Sequence, residues 1–373
     1  MRRLLRPSLD WLLVFVPVTL VFEYFLHAPA TWIFFSSAIA IVPLAGWLGK
    51  ATEELANSTT QAIGGLLNAT FGNAAELIIA LFALQRGLTG VVKASLTGSI
   101  IGNALLVLGA SALAGGLRHT SQRFNAGAAR VQATMLTLAA IALIVPSVFF
   151  YLLGPNAVTI ERDLSTEIAV VLMVTYALHL LFSLRTHRQY FSAQTEAGSE
   201  PGGGGSKAGE GWSRRRALGL LAISTAAVGW MSEVLVGSVE QAAAALGITG
   251  LFVGVIVVGI VGNAAEHSTA VIAARGNKMD LSVGIAVGST LQIALFVAPV
   301  LVLVSHYLGP ATLDLVFTVP EIVAIGLAVW IAEQISADGE TNWLEGVQLI
   351  AVYVVMAIAF YFLPPGAVRA PGH

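Results

Sequence analysis

Apolar runs long enough to cross a bilayer as helices, about 20 residues each, follow one another from Trp11 to Phe362 with little between them. In hydrocarbon no water satisfies the backbone, so such segments must close their own hydrogen bonds. Eleven helices are read, at roughly 10–27, 31–55, 59–84, 88–116, 130–153, 163–185, 216–246, 250–275, 280–307, 317–335 and 344–363. The expected fold class is therefore an all-α polytopic membrane protein. Composition agrees: the 373 residues are 56% hydrophobic and 11% charged, with a mean hydropathy of +0.82, against about 25% charged in a soluble domain. The first run follows Met1-Arg2-Arg3 and has the charge order of a signal peptide. It lacks a small-residue cleavage site and leads straight into another span, so it is kept as a helix. The absence of cysteine excludes disulfides, iron–sulfur clusters and thiolate metal sites.

The basic residues set the orientation. With the N-terminus in the cytoplasm, 15 of the 19 Lys and Arg fall inside, and Arg86, Lys93, Arg162 and Arg369 fall outside. The C-terminus then lies outside. One inner loop, Glu333 to Glu345, is acidic against this trend. The segment from Gln189 to Arg216 is the one substantial polar linker, with its Pro201-Gly-Gly-Gly-Gly-Ser206 run, and is expected to be flexible and solvated. It divides the chain into an extra N-terminal helix (1–28), a first five-helix unit (29–188), a linker (189–215) and a second five-helix unit (216–373).

Within these apolar runs Gly-Asn-Ala-Ala-Glu occurs twice, at Gly72–Glu76 and Gly262–Glu266. A carboxylate in hydrocarbon is costly and marks a functional site by default. An offset of 190 residues carries Asn73 to Asn263, Glu76 to Glu266, and Gly98-Ser99 to Gly288-Ser289. Upstream, Glu53 matches Glu233 at an offset of 180, so the second copy holds extra residues around Gly247–Gly259. The cassettes fall on the third and eighth spans, an odd number apart, and so run in opposite senses. That is the arrangement of two inverted-topology repeats, whose shared site lies near mid-membrane. Asn and Glu share a helix face, extended by Ala80 and Ala83 in one copy and Ala270 and Ala273 in the other. Gly72 and Gly262 are expected to break their helices and free carbonyls near Thr70–Gly72 and Ile260–Gly262.

Two glutamates, two asparagines and loosened carbonyls form an all-oxygen set. It suits a hard cation, above all Ca²⁺, which takes about 6–8 oxygens. Two apposed carboxylates in a low-dielectric site cannot both stay ionised without a cation. Protons and cation then compete for the same oxygens, and alternating access to such a site gives antiport. No nucleotide-binding motif appears, so an ion gradient is the expected energy source.

The segments Asn68-Ala-Thr-Phe-Gly-Asn-Ala-Ala-Glu76, Gly98-Ser99, Gly262-Asn-Ala-Ala-Glu-His267 and Gln292-Ile-Ala-Leu-Phe-Val-Ala-Pro299 resemble the signatures of the Ca²⁺/H⁺ antiporters. These form the cation/proton exchanger family of the Ca²⁺/cation antiporter superfamily. The resemblance spans nearly the whole chain. It implies that Glu76 and Glu266 carry Ca²⁺ and protons, with flanking residues as secondary ligands. Some members carry a dense acidic segment between the repeats, whereas this linker has only Glu196, Glu200 and Glu210.

Glu76, Glu266, Asn73 and Asn263 are the expected cation- and proton-binding set, with the two glutamates as the metal ligands. Secondary or gating candidates are Gly72, Gly262, Thr70, Ser99, Ser289, Gln292, His267, Glu53 and Glu233. Glu53 sits near a helix end beside Glu54, where a solvated face explains it equally well. His267 points about 100° away from Glu266, which suits a bond to a neighbouring helix at least as well as a proton relay. Asn103 matches Ile293 and is expected to pack. No enzyme chemistry and no cofactor are read; Ca²⁺ and H⁺ are substrates, the lipid bilayer is the partner, and nucleic acid is not. Association into homo-oligomers is compatible with this reading. The competing readings are a Na⁺/Ca²⁺ exchanger of the same fold, a passive cation channel, and a Ca²⁺ sensor using the linker as an effector arm. A compact chain with short loops suits a prokaryotic cell membrane.

Overall fold

The computed structural model describes residues 9–153, 158–191 and 212–364. The helices are α1 (Phe15–Tyr24), α2 (Ala30–Asn57), α3 (Gln61–Phe71), α4 (Ala74–Gln85) and α5 (Thr89–Gly116), followed by α6 (Ala126–Leu153) and α7 (Ile160–Thr186). After the linker come α8 (Arg214–Leu246), α9 (Gly250–Arg275), α10 (Met279–Ser305), α11 (Val319–Ser336) and α12 (Trp343–Phe362). Among the described residues nine helices are long and apolar enough to cross a membrane, or ten if the bent pair α3 and α4 is one span. The fold is thus an all-α polytopic membrane protein. The expected eleventh span falls short. A six-residue 3-10 turn, Leu9–Val14, leads into a ten-residue α1, less than the ~20 residues of a straight crossing. This segment packs on α2, where Trp47 Nε1 donates to Asp10 Oδ1 at 2.8 Å. The glycine run of the linker lies outside the described residues.

Burial sorts the helices. The apolar window of α5 is 83% buried and that of α10 67%, against 17% for α7, so α5 and α10 form the centre and α7 the rim. The carriers of the two cassettes, α3–α4 and α9, pack on this centre, and α2 lies along α8. Helix ends have identifiable stops. Ser213 caps α8 by accepting from Arg216 N, and Gly247 ends it at φ 66°, a conformation open to glycine. Thr318 with Glu321 and Asn342 with Glu345 form capping boxes at α11 and α12.

Backbone that leaves the helices is satisfied inside the protein. Between α10 and α11 the chain runs irregularly, yet Leu313, Leu315, Val316 and Phe317 are buried. Ser305 accepts from Leu313 N, Ser165 from Leu315 N and Ser147 from Phe317 N, at 2.8–3.0 Å. Lys93, counted from sequence on the outer side of the membrane, is buried: it pairs with Asp314 and donates to the Val316 carbonyl at 2.8 Å. A lysine is tolerated at such depth only with partners of this kind.

The acidic 333–345 loop also has its account. A two-residue strand β1 (Gln122–Arg123) pairs antiparallel with β2 (Glu340–Thr341), and Arg123 lies 3.5 Å from Glu340. Gln122 donates to the Ala274 carbonyl and to Asn277 Oδ1. The acid of one loop thus answers the base of another.

Removing one partner of a buried ion pair leaves an uncompensated charge and costs about 3–5 kcal/mol. Lys93→Met is therefore expected to lower the thermal midpoint in detergent strongly. Lys93→Met combined with Asp314→Leu should recover much of that loss. Fluorescence-monitored melting of the three proteins checks this, and equal midpoints for the single and double variants would count against it.

Candidate cation site

The first cassette is built on a helix break. Gly72 still continues α3, its N–H donating to the Asn68 carbonyl at 2.8 Å. Asn73 then leaves helical geometry at φ −102°, ψ 32°, and α4 sets off at 43° to α3. Glu76 stands in the first turn of α4. One carbonyl in the last turn of α3, that of Ala69, accepts from Tyr176 of α7 at 3.2 Å.

The second cassette is built differently. A break was expected at Ile260–Gly262, but the chain is α-helical without interruption from Gly259 to Arg275. The distortion comes earlier, as a π-helical turn at Val253–Val258. Gly262 is used for contact instead of bending: a Cβ there would lie 3.1 Å from Glu76 Cγ and 3.2 Å from Glu76 Oε1. Gly72 has the mirror relation, since its Cβ would lie 3.1 Å from Gln292 Oε1. Each cassette glycine thus admits a polar side chain from the opposite half of the chain.

Gly262 lies one helical turn before Glu266, so its contact places Glu76 against the stretch of α9 that carries Glu266. Ser289 of α10 donates to Glu266 Oε2. Asn73 Nδ2 donates to Gln292 Oε1 at 2.6 Å. Two oxygens at this point, Asn73 Oδ1 and Glu76 Oε1, are buried and have no protein partner. Buried oxygens without donors are costly unless something positive reaches them. A carboxylate pair with a free amide carbonyl beside it is a donor set for a hard cation or for protons.

Of the secondary candidates, Ser289, Gln292, Ser99, Gly72 and Gly262 meet at or beside this point. Thr70 does not: its hydroxyl donates back to the Leu66 carbonyl at 2.8 Å. Glu53 is exposed near the end of α2. Glu233 lines a separate cavity of about 340 Å³ with Glu23, His27 and Arg86. Their matched sequence positions therefore do not make them partners in the site. His267 lies 3.1 Å from Asn103 Oδ1 by its Nε2, an interhelical bond of the kind weighed for it beside a proton relay. Asn103, expected only to pack, donates to Asn263 Oδ1 at 3.0 Å and is 1% exposed. Its apolar counterpart Ile293 hid this role. The available signal was its place one helical turn beyond Ser99.

The sodium/calcium exchanger protein family matches the chain twice, over residues 29–185 and 216–362. A Ca²⁺/H⁺ antiporter of Aphanothece halophytica is 46% identical, covering 95% of this chain and 96% of its own length. The Ca²⁺/H⁺ antiporter ChaA of Bacillus subtilis strain 168 is 47% identical, covering 91% and 94%. The solved structure of native YfkE superposes with a TM-score of 0.81 at 43% identity, covering 95% of this chain and 100% of that one.

Overpacking a tight contact costs about 1–3 kcal/mol. Gly262→Ala pushes directly on Glu76, so divalent-cation affinity is expected to fall by about tenfold or more. Gly219→Ala, where a Cβ meets nothing within 4 Å, should leave it unchanged. Calorimetric titration of the three purified proteins reads the difference.

Proposed function

The chain belongs to the sodium/calcium exchanger protein family, and from that premise we propose that it exchanges Ca²⁺ for protons by alternating access. The observation that carries the reading is the packing of Glu76 against Gly262, one turn from Glu266 on the other matched half of the chain, with Glu76 Oε1 and Asn73 Oδ1 buried and without partners. Glu76, Glu266 and Asn73 supply the cation's first oxygens, with Ser289 and Gln292 orienting them. Asn263 stands beside them on the second cassette. Ca²⁺ offsets both carboxylates at once. When it leaves, the pair cannot remain doubly charged in a low dielectric, and protons take its place. The exclusion of the empty, fully ionised state couples the two fluxes.

The halves 29–188 and 216–373 act as inverted repeats, preceded by the short N-terminal helix. The linker that joins the halves faces the cytoplasm, on the charge asymmetry of the loops. Relatives of nearly equal length named as Ca²⁺/H⁺ antiporters, one of them from Bacillus subtilis, support proton coupling and a bacterial cell membrane. Na⁺ coupling is the second reading, since the family also takes its name from sodium. Against it, alanines fill both positions between Asn and Glu in each cassette, leaving no extra side-chain oxygens there. A channel could use paired carboxylates as its filter, but its flux would be passive, and a pH jump alone would not drive Ca²⁺ uphill.

Glu76→Gln or Glu266→Gln removes one charge at nearly constant shape. Each is expected to abolish ΔpH-driven ⁴⁵Ca²⁺ uptake into proteoliposomes while leaving insertion intact. Robust uptake by either would sink the assignment, and uptake that required Na⁺ would favour the second reading.

Competition also fixes a pH law. Protons fill the carboxylates as pH falls, so apparent Ca²⁺ affinity must fall with it. If two protons are displaced, log affinity should rise with a slope approaching about 2 per pH unit where both carboxyls are protonated. Equilibrium binding measured across mildly acidic to alkaline pH checks this, and a flat profile would refute a shared site.

A further inference from the structure

The two cassette asparagines are chemically alike and equivalent in sequence, yet they are held in different ways. Asn73 has one bond to another side chain, to Gln292, and its carbonyl oxygen is free. Asn263 is bonded at both ends of its amide and 0% exposed. Its Nδ2 donates to the Gly259 carbonyl at 2.8 Å and to Ser99 Oγ at 2.9 Å, and its Oδ1 accepts from Asn103.

The direction of these bonds is determined by one atom. A backbone carbonyl can only accept, so the Asn263 amide nitrogen must face Gly259. Its oxygen must then face Asn103, which has to present its own nitrogen. The Asn103 oxygen is left for His267, whose Nε2 lies 3.1 Å away and so must carry the proton. The result is one directed chain: His267 Nε2–H to Asn103, Asn103 to Asn263, Asn263 to Ser99.

Two residues one turn apart on α5, Ser99 and Asn103, thus grip two residues one turn apart on α9, Asn263 and His267. The helices approach closely at the same level, where a Cβ on Gly259 would lie 2.7 Å from Gly98 C. A π-helical turn, Gly102–Val107, begins just before Asn103 and alters the regular spacing of side chains there. The matched position in the other half is Ile293, which can make no such bond.

We propose that Asn103 is a positioning residue of the cation site. It fixes the amide of Asn263 and, through it, the stretch of α9 that carries Glu266. Asn263 serves as a crosslink bonded at both ends of its amide, and of the two cassette asparagines only Asn73 offers the cation an amide oxygen without a partner. The site is therefore asymmetric although its cassettes are identical. This rests on the reading of Glu76 and Glu266 as the cation's carboxylates.

Two measurements test it. In ¹⁵N-histidine-labelled protein in proteoliposomes at neutral pH, solid-state NMR should find His267 protonated at Nε2 and bare at Nδ1. The His267→Gln variant identifies the resonance. Asn103→Leu should shift the Nε2 signal. In ΔpH-driven Ca²⁺ uptake, Asn103→Leu should raise KM by about fivefold or more and change kcat less, because the lost function is placement of a ligand. Asn103→Asp keeps the size and the acceptor for His267 but turns an oxygen on Asn263 Oδ1. It should be nearly as impaired, which simple space filling would not produce.

A wild-type His267 protonated at Nδ1 with Nε2 bare overturns the proposal, and so does a KM for Asn103→Leu within about twofold of wild type. If Asn103→Leu fails to insert, the wild-type tautomer decides. That readout needs no transport. Normal uptake by Glu76→Gln together with the expected tautomer would reject the functional reading while leaving the clamp in place.

Discussion

A polar group placed among spanning helices must find its partner within the protein, because hydrocarbon offers none. This constraint accounts for most of what departs from plain helix in the structure. The buried 313–317 stretch is held by serines from α6, α7 and α10. Lys93 sits deep because Asp314 and the Val316 carbonyl meet it. Among the described residues ten buried side-chain oxygens lack a protein partner; those of Asn73 and Glu76 lie together on the first cassette, a carboxylate oxygen beside an amide carbonyl, and suit something positive.

Glycine makes such a place sterically accessible. Gly262 and Gly72 admit Glu76 and Gln292 from the opposite half of the chain, and Gly98 meets Gly259 where α5 crosses α9. In each case the missing side chain, more than backbone freedom, is what counts. Helices that approach this closely bring short side chains such as Ser and Asn within bonding distance. The small stripe Ala80, Ala83, Ala270 and Ala273 is likewise buried.

The two halves solve the same problem in unequal ways. One cassette follows a 43° bend with a single bond from Asn73 to the facing helix. The other lies on a straight stretch tied to α5 through Ser99 and Asn103. A pair of identical pentapeptides thus yields one side with a free carbonyl and one side fixed.

Much was legible in the sequence alone. Apolar runs dictate helices because no other open structure closes its own hydrogen bonds in lipid. The duplicated carboxylates mark the site because nothing else justifies their cost. What the sequence missed depends on geometry that motif matching does not encode. Glu53 and Glu233 match in register, yet one is exposed near the end of α2 and the other lines a separate cavity. Gly262 does not break its helix, because the neighbouring half fills the space its absent side chain leaves. Lys93 is buried because the Asp314 that neutralises it lies 221 residues away along the chain. Asn103 bonds Asn263 and His267, which lie 160 and 164 residues away along the chain. Local pattern determined which segments are helical and which residues are costly. Only the tertiary structure decided which of those residues face one another, because hydrogen bonds and charge pairing depend on distances of a few ångströms.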